Sequence, residues 1–349
     1  MSGGVDSSTA ALLLRREGHE VQGLSLRLFE SRGKRNASAC CSLMAIEDAQ
    51  RAAATAGIPH RTLDARDLFT RTVVVPFSEA YSRGLTPNPC VLCNRHVKFP
   101  ILMEEARKNG FTHIATGHYA IVDRSGGQPM LRKGIDPKKD QSYFLYPIGR
   151  LTLEKALFPL GMYTKEDIRS IAREEGLEAA GRPESQEICF VDNDDYASTV
   201  RVLMPEAVRH GPVIGPDGKV IGEHTGAFNF TLGQRKGLGI SWPYPLYVIR
   251  IDTDTNAVYV GPREDTMWRE FHVNDLIWLD GEQRTKGTFR AGVKVRSTMT
   301  EEPANITPLG KDRVHVEYDK PEFAPAPGQS AVFYEGDTVI GGGTIEKQG

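Results

Sequence analysis

The sequence predicts an α/β protein in three parts: an N-terminal domain with a parallel sheet (residues 1–201), a small central domain (202–263) and a C-terminal antiparallel β-barrel (264–349). Three observations predict this. The chain has 349 residues, whereas single hydrophobic cores stop growing at about 250–300 residues. Helices and strands alternate up to about residue 120, as in a parallel sheet covered by helices. After about residue 200, short alternating strands with frequent Pro and Gly replace that pattern.

The N-terminal elements follow one another in regular order. A helix over Ser7–Glu17 ends at Gly18, because glycine readily adopts the left-handed conformation that closes a helix. Thr164 and Asp167 stand at capping-box spacing and predict a helix over Thr164–Gly176. Between them we predict strands over Val21–Phe29, Ile58–Leu63 and Thr112–Thr116, and helices over Met44–Ala56, Arg66–Arg83 and Arg95–Asn109.

The last part of the chain is predicted to be β-structure. Apolar and polar residues alternate there over short runs, which is typical of half-buried antiparallel strands. Strands are predicted over Val248–Ile251, Ala257–Val260, Thr288–Val295, Val314–Tyr318, Ser330–Tyr334 and Thr338–Gly341. This spacing favours a compact antiparallel barrel.

The first residues, Ser2-Gly3-Gly4-Val5-Asp6-Ser7, predict a pyrophosphate-binding loop that runs into a helix. The pattern lacks the lysine of a Walker loop and the third glycine of a dinucleotide fingerprint. It resembles the PP-loop of ATP pyrophosphatases; a serine-capped glycine turn is the alternative. Such a loop normally follows a β-strand, but only Met1 precedes it. We therefore expect either that the chain as given begins late or that neighbours alone hold the loop, which would weaken ATP binding.

Composition narrows the class of protein. Net charge is −2, 40% of residues are hydrophobic and 25% are charged, as in ordinary globular proteins. The sequence contains no apolar run of the ~20 residues that span a bilayer and no signal peptide, so we expect a cytoplasmic protein that does not bind a membrane. We also expect a monomer. Five cysteines, an odd number, favour reactive or metal-binding thiols over a disulfide scaffold, although the adjacent Cys40 and Cys41 are expected to be structural.

Two further cysteines stand at Cys-x-x-Cys spacing, at Cys90 and Cys93, on a proline-stiffened turn that enters the predicted helix at Arg95. A helix N-terminus and nearby cations favour the thiolate, so reactive chemistry is predicted, with a pair of small core residues as the alternative. Cys189 taken alone is typical of a buried cysteine.

Two polar loops are also candidates for function. Residues 138–144 join a charged turn to an aromatic run, which is equally consistent with an exposed loop that enters a helix. Residues 232–240 place Arg235 and Lys236 between glycines, which suits phosphate contacts from a mobile segment or a solvated hairpin tip.

Seven motifs in order together resemble the tRNA-specific 2-thiouridylase family, and the resemblance covers essentially the whole chain. They are residues 2–7, 86–94, 115–119, 139–145, 188–190, 232–239 and 327–334. The resemblance implies a Rossmann-like PP-loop domain, a central domain and a C-terminal barrel. It also implies an enzyme that uses ATP, with Mg²⁺, to replace O2 of the wobble uridine of tRNA with sulfur.

The resemblance also implies residue roles. Cys93 matches the catalytic cysteine and Cys189 the cysteine that carries the persulfide. The resemblance also implies that the two form a disulfide bond during the reaction. ATP would be bound by Ser2, Gly3, Gly4, Val5, Asp6, Ser7, Leu26 and Gly117. The target base or the tRNA anticodon stem-loop would be bound by Asn88, Pro89, Cys90, His118, Lys139, Asp140, Gln141, Arg235, Lys236, Arg296, Ser297 and Gln329. The implied partners are tRNA and a sulfur-donor protein, either a cysteine desulfurase or a sulfur relay carrier.

Three alternatives stay open. Cys90 replaces an aspartate of some family members, so Cys90, Cys93 and Cys189 would also suit a [4Fe–4S] cluster with one open iron. A second alternative is another PP-loop adenylating enzyme, similar to GMP synthetase. Such an enzyme needs no paired cysteines and no C-terminal RNA-binding barrel, so both of these features count against it. An inactive tRNA-binding protein would result if the loop did not form.

Overall fold

A computed structural model describes residues 1–29, 43–177, 188–191, 195–280, 284 and 286–347. The expectations for Cys40 and Cys41 lie outside these residues. The described α-helices are α1 (Val5–Arg16), α2 (Leu43–Thr55), α3 (Arg66–Phe69), α4 (Val75–Ser82), α5 (Pro89–Cys93), α6 (Phe99–Asn109), α7 (Arg150–Lys155), α8 (Lys165–Glu174) and α9 (Tyr196–Leu203). Short 3₁₀-helices cover Ser142–Phe144, Tyr146–Ile148, Pro205–Ala207, Ala227–Asn229 and Arg263–Thr266.

Two π-helical turns join neighbouring α-helices into longer runs. Thr70–Val74 connects α3 to α4, and Asn94–Lys98 connects α5 to α6. The second run begins earlier than predicted, at Pro89 and not at Arg95. The reason is a cap, since the Asn88 side chain accepts a hydrogen bond from the Val91 N–H at 3.2 Å. Both thiols of the Cys-x-x-Cys pair therefore lie on helix α5 itself.

The described strands are β1 (Gly23–Arg27), β2 (His60–Asp64), β3 (Ile114–Ala115), β4 (Ala120–Asp123), β5 (Met130–Lys133), β6 (Ala156–Leu157), β7 (Gly211–Ile214), β8 (Val220–His224), β9 (Tyr247–Asp252), β10 (Ala257–Gly261), β11 (Met267–Trp278), β12 (Phe289–Lys294), β13 (Glu302–Pro308), β14 (Arg313–Phe323), β15 (Ser330–Glu335) and β16 (Thr338–Ile345). In the N-terminal part β1 pairs parallel with β2, and β3 pairs parallel with β6. The predicted α/β architecture with parallel pairing is confirmed.

Helix α1 anchors the N-terminal core. Its buried side chains, among them Leu12 and Leu13, form one cluster with Ile168 and Ala172 of α8. The predicted capping box of α8 is present: the Asp167 N–H donates to Thr164 Oγ1 at 3.2 Å, and the Thr164 N–H donates to the Asp167 carboxylate at 2.9 Å. The packing fixes the start of α8 beside the start of α1.

Two β-domains follow. The central sheet has the order β8-β7-β10-β9, with β7 and β10 parallel and the other pairs antiparallel. Strands β11 to β16 form an antiparallel barrel that closes through pairing of β11 with β16. The predicted barrel is confirmed, but β11 and β13 were missing from the prediction.

A hairpin of the N-terminal part belongs to the barrel sheet. Strands β4 and β5 pair with each other, and β5 pairs with β16, so that Leu131 lies opposite Val339. Both residues are fully buried in one cluster with Tyr334 of β15. The sheet therefore continues from the barrel into the N-terminal domain.

Within the described ranges, the helices are too short or too polar for a bilayer span.

Candidate functional site

The glycine-rich loop is held in a conformation that only glycine adopts easily at Gly3. Its φ is +73°, and a Cβ there would lie 2.1 Å from the carbonyl oxygen of Ala45. The Ser2 N–H donates to Ser7 Oγ at 2.9 Å and closes the loop over the first turn of α1. The backbone N–H groups of this helix start are available to an anion.

Asp6, in the first turn of α1, is fixed by two residues distant in sequence. Lys165 Nζ lies 2.7 and 2.9 Å from its two carboxylate oxygens, and the Tyr119 hydroxyl donates to one of them at 2.7 Å. The side chain of Lys165 is only 8% exposed. Sequence analysis missed Lys165, because a lysine in the first turn of an amphipathic helix usually faces solvent. Its cation lies directly beside the loop.

Gly117 packs against the same helix start. A Cβ on Gly117 would lie 2.8 Å from the Asp6 carbonyl carbon and from the Ser7 nitrogen, so only glycine allows this approach. The structure thus brings Gly117 together with the loop. Leu26, on β1, packs instead against the apolar cluster that contains Cys93.

Cys93 and Cys189 belong to one apolar cluster, although they are distant in sequence. Cys93 is buried and Cys189 is partly buried. The neighbouring Phe190 meets Phe69 at 5.6 Å and Phe77 at 5.2 Å between ring centroids, both edge to face. Cys90, one turn before Cys93, is exposed. The remaining buried members of the cluster are Leu28, Ala65, Val73 and Val97.

The barrel contacts the loop that precedes the two thiols. Asn88 Nδ2 donates to Gln329 Oε1 at 3.1 Å, while the Asn88 oxygen caps α5. The Thr86 N–H donates to the Pro327 carbonyl at 2.7 Å, and Arg95 pairs with Asp275 of β11. The barrel therefore helps to position helix α5.

The loop at residues 139–141 is tied to the nucleotide loop through Tyr119. The Gln141 N–H donates to the Tyr119 carbonyl at 2.9 Å, and the Tyr119 N–H donates to Gln141 Oε1 at 3.0 Å. Asp140 accepts hydrogen bonds from the Gly134 and Ser142 N–H groups and so fixes the turn. Lys139 is partly buried on it.

Four other expected tRNA-binding residues lie in two places. Arg296 donates to the Ala324 carbonyl at 3.0 Å and lies over the Phe323 ring, and burial lowers the pKa of Arg296. Ser297 follows it, partly buried. Arg235 and Lys236 are exposed on the central domain and are not part of the loops around Cys93.

His118 is placed as a neutral ring. Its Nδ1 lies 2.7 Å from Thr116 Oγ1, and its ring stacks on Phe99 at 6.0 Å and meets Phe158 edge to face. Burial, with Lys98 nearby, holds the pKa of His118 well below 6.5. Any contact with RNA would therefore use stacking or a neutral hydrogen bond.

The residues fit Mg²⁺ but not an iron–sulfur cluster. Magnesium is usually held by one or two carboxylates together with substrate phosphates, and Asp6 offers such a carboxylate at the loop. The Asp6 carboxylate has roughly four acceptor positions. Lys165 and Tyr119 occupy three of them, so about one remains for a metal ion. No three His, Cys, Asp or Glu side chains in the described part of the chain are grouped to hold a metal ion.

A glycine-rich loop at a helix start, in an α/β domain followed by two β-domains, defines a nucleotide-binding enzyme of the PP-loop class. Residues 1–193 match the family described as tRNA methyl transferase HUP domain. Residues 202–262 match the tRNA methyl transferase PRC-barrel domain, and residues 268–345 match the aminomethyltransferase beta-barrel domain.

Relatives resemble the chain over its whole length. The tRNA-specific 2-thiouridylase MnmA of Symbiobacterium thermophilum is 43% identical, over 99% of this chain and 91% of that protein. MnmA 2 of a Thermoanaerobacter species is 44% identical, over 100% and 97%, and MnmA of Rickettsia akari is 43% identical, over 99% and 95%. The chain belongs to the tRNA-specific 2-thiouridylase family, a family of ATP-utilising sulfurtransferases, and the resemblance seen in its motifs is confirmed.

Proposed function

We propose that this protein uses ATP to replace O2 of the wobble uridine in tRNA with sulfur, which it carries as a persulfide on Cys189. One observation carries the proposal: Cys93 and Cys189, far apart in sequence, share one apolar cluster directly after the capped start of α5. A GMP synthetase-like enzyme has no use for this pair.

The first step activates the base. The C2 carbonyl of uracil is a poor electrophile, so its oxygen attacks the α-phosphate of ATP and pyrophosphate leaves. The backbone N–H groups at the start of α1 hold the departing pyrophosphate, and Lys165 provides a cation beside it. Mg²⁺ bound at Asp6 would neutralise phosphate charge.

The second step transfers sulfur. The terminal sulfur of the Cys189 persulfide attacks C2 and expels AMP, leaving the base linked to Cys189 through an S–S bond. The Cys93 thiolate attacks Cys189 Sγ, so the thiolated uridine leaves and a Cys93–Cys189 disulfide forms. A thiol reductant supplies the two electrons that reopen this disulfide, and a sulfur-donor protein reloads Cys189.

The tRNA is positioned by elements around the two loops. A stacked base cannot reach a buried thiol, so the wobble uridine must turn out of its stack and enter beside Asn88 and Cys90. We assign the 139–141 loop, Arg296 and Gln329 to contacts with the tRNA around that entrance; in support, Gln329 is hydrogen-bonded to Asn88. We assign residues 1–201, 202–263 and 264–349 to three domains of one monomer.

The test is direct. Purified protein is incubated with ATP, a persulfide donor and an unmodified tRNA transcript that carries uridine at the wobble position, and the tRNA nucleosides are analysed by mass spectrometry. We expect 2-thiouridine at the wobble position with one AMP and one pyrophosphate per turnover. Pyrophosphate release without 2-thiouridine would overturn the proposal, as would thiolation that does not depend on ATP.

A further inference from the structure

The central domain carries a groove whose ligand the proposed function does not identify. Its volume is about 630 Å³, and it is lined by Arg235 and by residues 237–246. Small-molecule sites usually occupy about 300–1,000 Å³. The groove is lined mainly by apolar and aromatic residues, among them the buried Leu246.

Two aromatic rings form one wall of the groove. Tyr244 is 46% exposed, and its ring stands edge-on to Trp242 at 6.4 Å between centroids, with an interplanar angle of 88°. This contact fixes the orientation of the tyrosine ring before any ligand arrives. A pre-oriented, open aromatic face is the surface on which nucleobases stack in proteins that bind unpaired RNA.

The same wall holds an unsatisfied donor. The Trp242 Nε1 atom is shielded from solvent, and no acceptor reaches it within the described residues. Because this nitrogen is shielded from solvent, a ligand in the groove does not reach it, and Trp242 supports the Tyr244 ring without contacting the ligand itself.

Charge identifies the class of ligand. Arg235 lines the groove and the exposed Lys236 follows it, while no acidic side chain is among the lining residues. Two cations beside a stacking surface suit the phosphate and base of a nucleotide.

We propose that this groove binds a second unpaired nucleotide of the substrate tRNA, distinct from the wobble uridine. Its base stacks on Tyr244 and its phosphate contacts Arg235 and Lys236. The inference rests on the proposed function, because it takes tRNA as the ligand. Two base sites on one protein would select RNAs whose unpaired bases are correctly spaced.

The test measures the dissociation constant of an unmodified tRNA transcript with uridine at the wobble position. Loss of one stacked base lowers affinity by about tenfold, since stacking contributes about 1–3 kcal/mol, so we expect this of Tyr244→Ala. Tyr244→Phe keeps the ring and should bind within about twofold of wild type. Val220→Ala, at a position 61% exposed in the same domain, is the matched control and should bind as wild type does.

Salt dependence separates stacking from charge. Lys236→Gln should reduce the slope of log affinity against log salt by about one, whereas Tyr244→Ala should leave the slope unchanged. Circular dichroism and thermal unfolding of each variant confirm that the central domain stays folded.

Two results would contradict nucleotide binding in the groove while leaving the proposed function intact. The first is wild-type tRNA affinity of Tyr244→Ala in a protein whose wild type thiolates this transcript. The second is a Tyr244→Ala variant that binds and thiolates tRNA normally with a small-molecule persulfide but fails only with a cysteine desulfurase as donor, since the groove would then bind protein. Failure of the wild type to thiolate would instead overturn the proposed function.

Discussion

The nucleotide loop and the cysteine pair are built by opposite means. Asp6 is held by hydrogen bonds from Lys165 and Tyr119, so charged and polar groups are aimed before ATP arrives. Cys93 and Cys189 are held by apolar packing, as members of one cluster. Phosphate chemistry is favoured by fixed dipoles, whereas sulfur transfer is favoured by exclusion of water, which would hydrolyse the activated base. Each region can be disabled while the other stays intact.

The largest effect is expected from the cysteines. Cys93→Ser and Cys189→Ser should each abolish thiolation, because neither sulfur attack nor disulfide release can proceed, while tRNA affinity stays within a few-fold of wild type. Nucleoside mass spectrometry and filter binding measure the two properties. Adenylation precedes both steps, so tRNA-dependent pyrophosphate release should survive one turnover. Normal 2-thiouridine formation by either variant would remove that cysteine from the mechanism.

The nucleotide loop can be broken by one methyl group. Gly3→Ala places a Cβ against the Ala45 carbonyl in a left-handed backbone and should shift the loop, lowering pyrophosphate release by about 100-fold. Gly4→Ala is the matched control, because its Cβ would meet its nearest neighbour, Ser2 Oγ, at 3.7 Å and its φ is −82°. Radiolabelled ATP provides the assay. Equal activity of the two variants would contradict the steric argument.

Lys165 tests whether the cation beside the loop acts on phosphate. Lys165→Met should lower tRNA-dependent pyrophosphate release by about 10- to 100-fold, which corresponds to the 1.5–3 kcal/mol of a hydrogen bond to a charged group. Lys165→Arg keeps the charge and should recover part of the rate. A purely structural lysine would lower the unfolding temperature in both variants and leave the pyrophosphate rate of the folded fraction unchanged.

Substitution of Cys90 distinguishes the persulfide mechanism from an iron–sulfur cluster mechanism. It is exposed, unlike Cys93, so Cys90→Ala should lower thiolation only a few-fold and Cys90→Asp should largely preserve it. A cluster mechanism would instead make Cys90→Ala nearly as damaging as Cys93→Ala. Anaerobic purification with iron and sulfide analysis, followed by the thiolation assay on the same sample, decides the matter: activity only with about four irons per chain would refute the persulfide route.

The smallest effect concerns His118, which borders the nucleotide loop. Its pKa is held well below 6.5, so below about pH 6.5 the unfolded chain binds a proton that the folded chain excludes. Its contribution to stability is complete above pH 6.5 and falls as the pH drops. Urea unfolding at pH 7.5 and 5.5 should show a loss about 1 kcal/mol larger for wild type than for His118→Gln. An identical loss would show that His118 does not titrate on unfolding.

Local signals predicted local structure well. The capping box at Thr164 and Asp167 predicted the start of α8, and the glycine loop predicted helix α1, which begins at Val5, two residues before the predicted Ser7. Contacts between distant segments were not predictable. Lys165 meets Asp6 across 159 residues, and a single sequence has no signal for such a pair. Strand β11 was not predicted, because charged residues interrupt its alternation of apolar and polar residues. The π-helical turns were not predicted either, because no amino-acid composition is known to indicate them.

The β4–β5 hairpin joins two domains of this chain through one continuous sheet. Because Leu131 pairs with Val339, a fragment that starts at residue 264 would expose the edge of β16 that this hairpin covers, together with the apolar surface behind it. Proteolytic cleavage between the central domain and the barrel would leave the two products joined without a covalent link. A change in the barrel can therefore reach helix α5 without passing through the central domain.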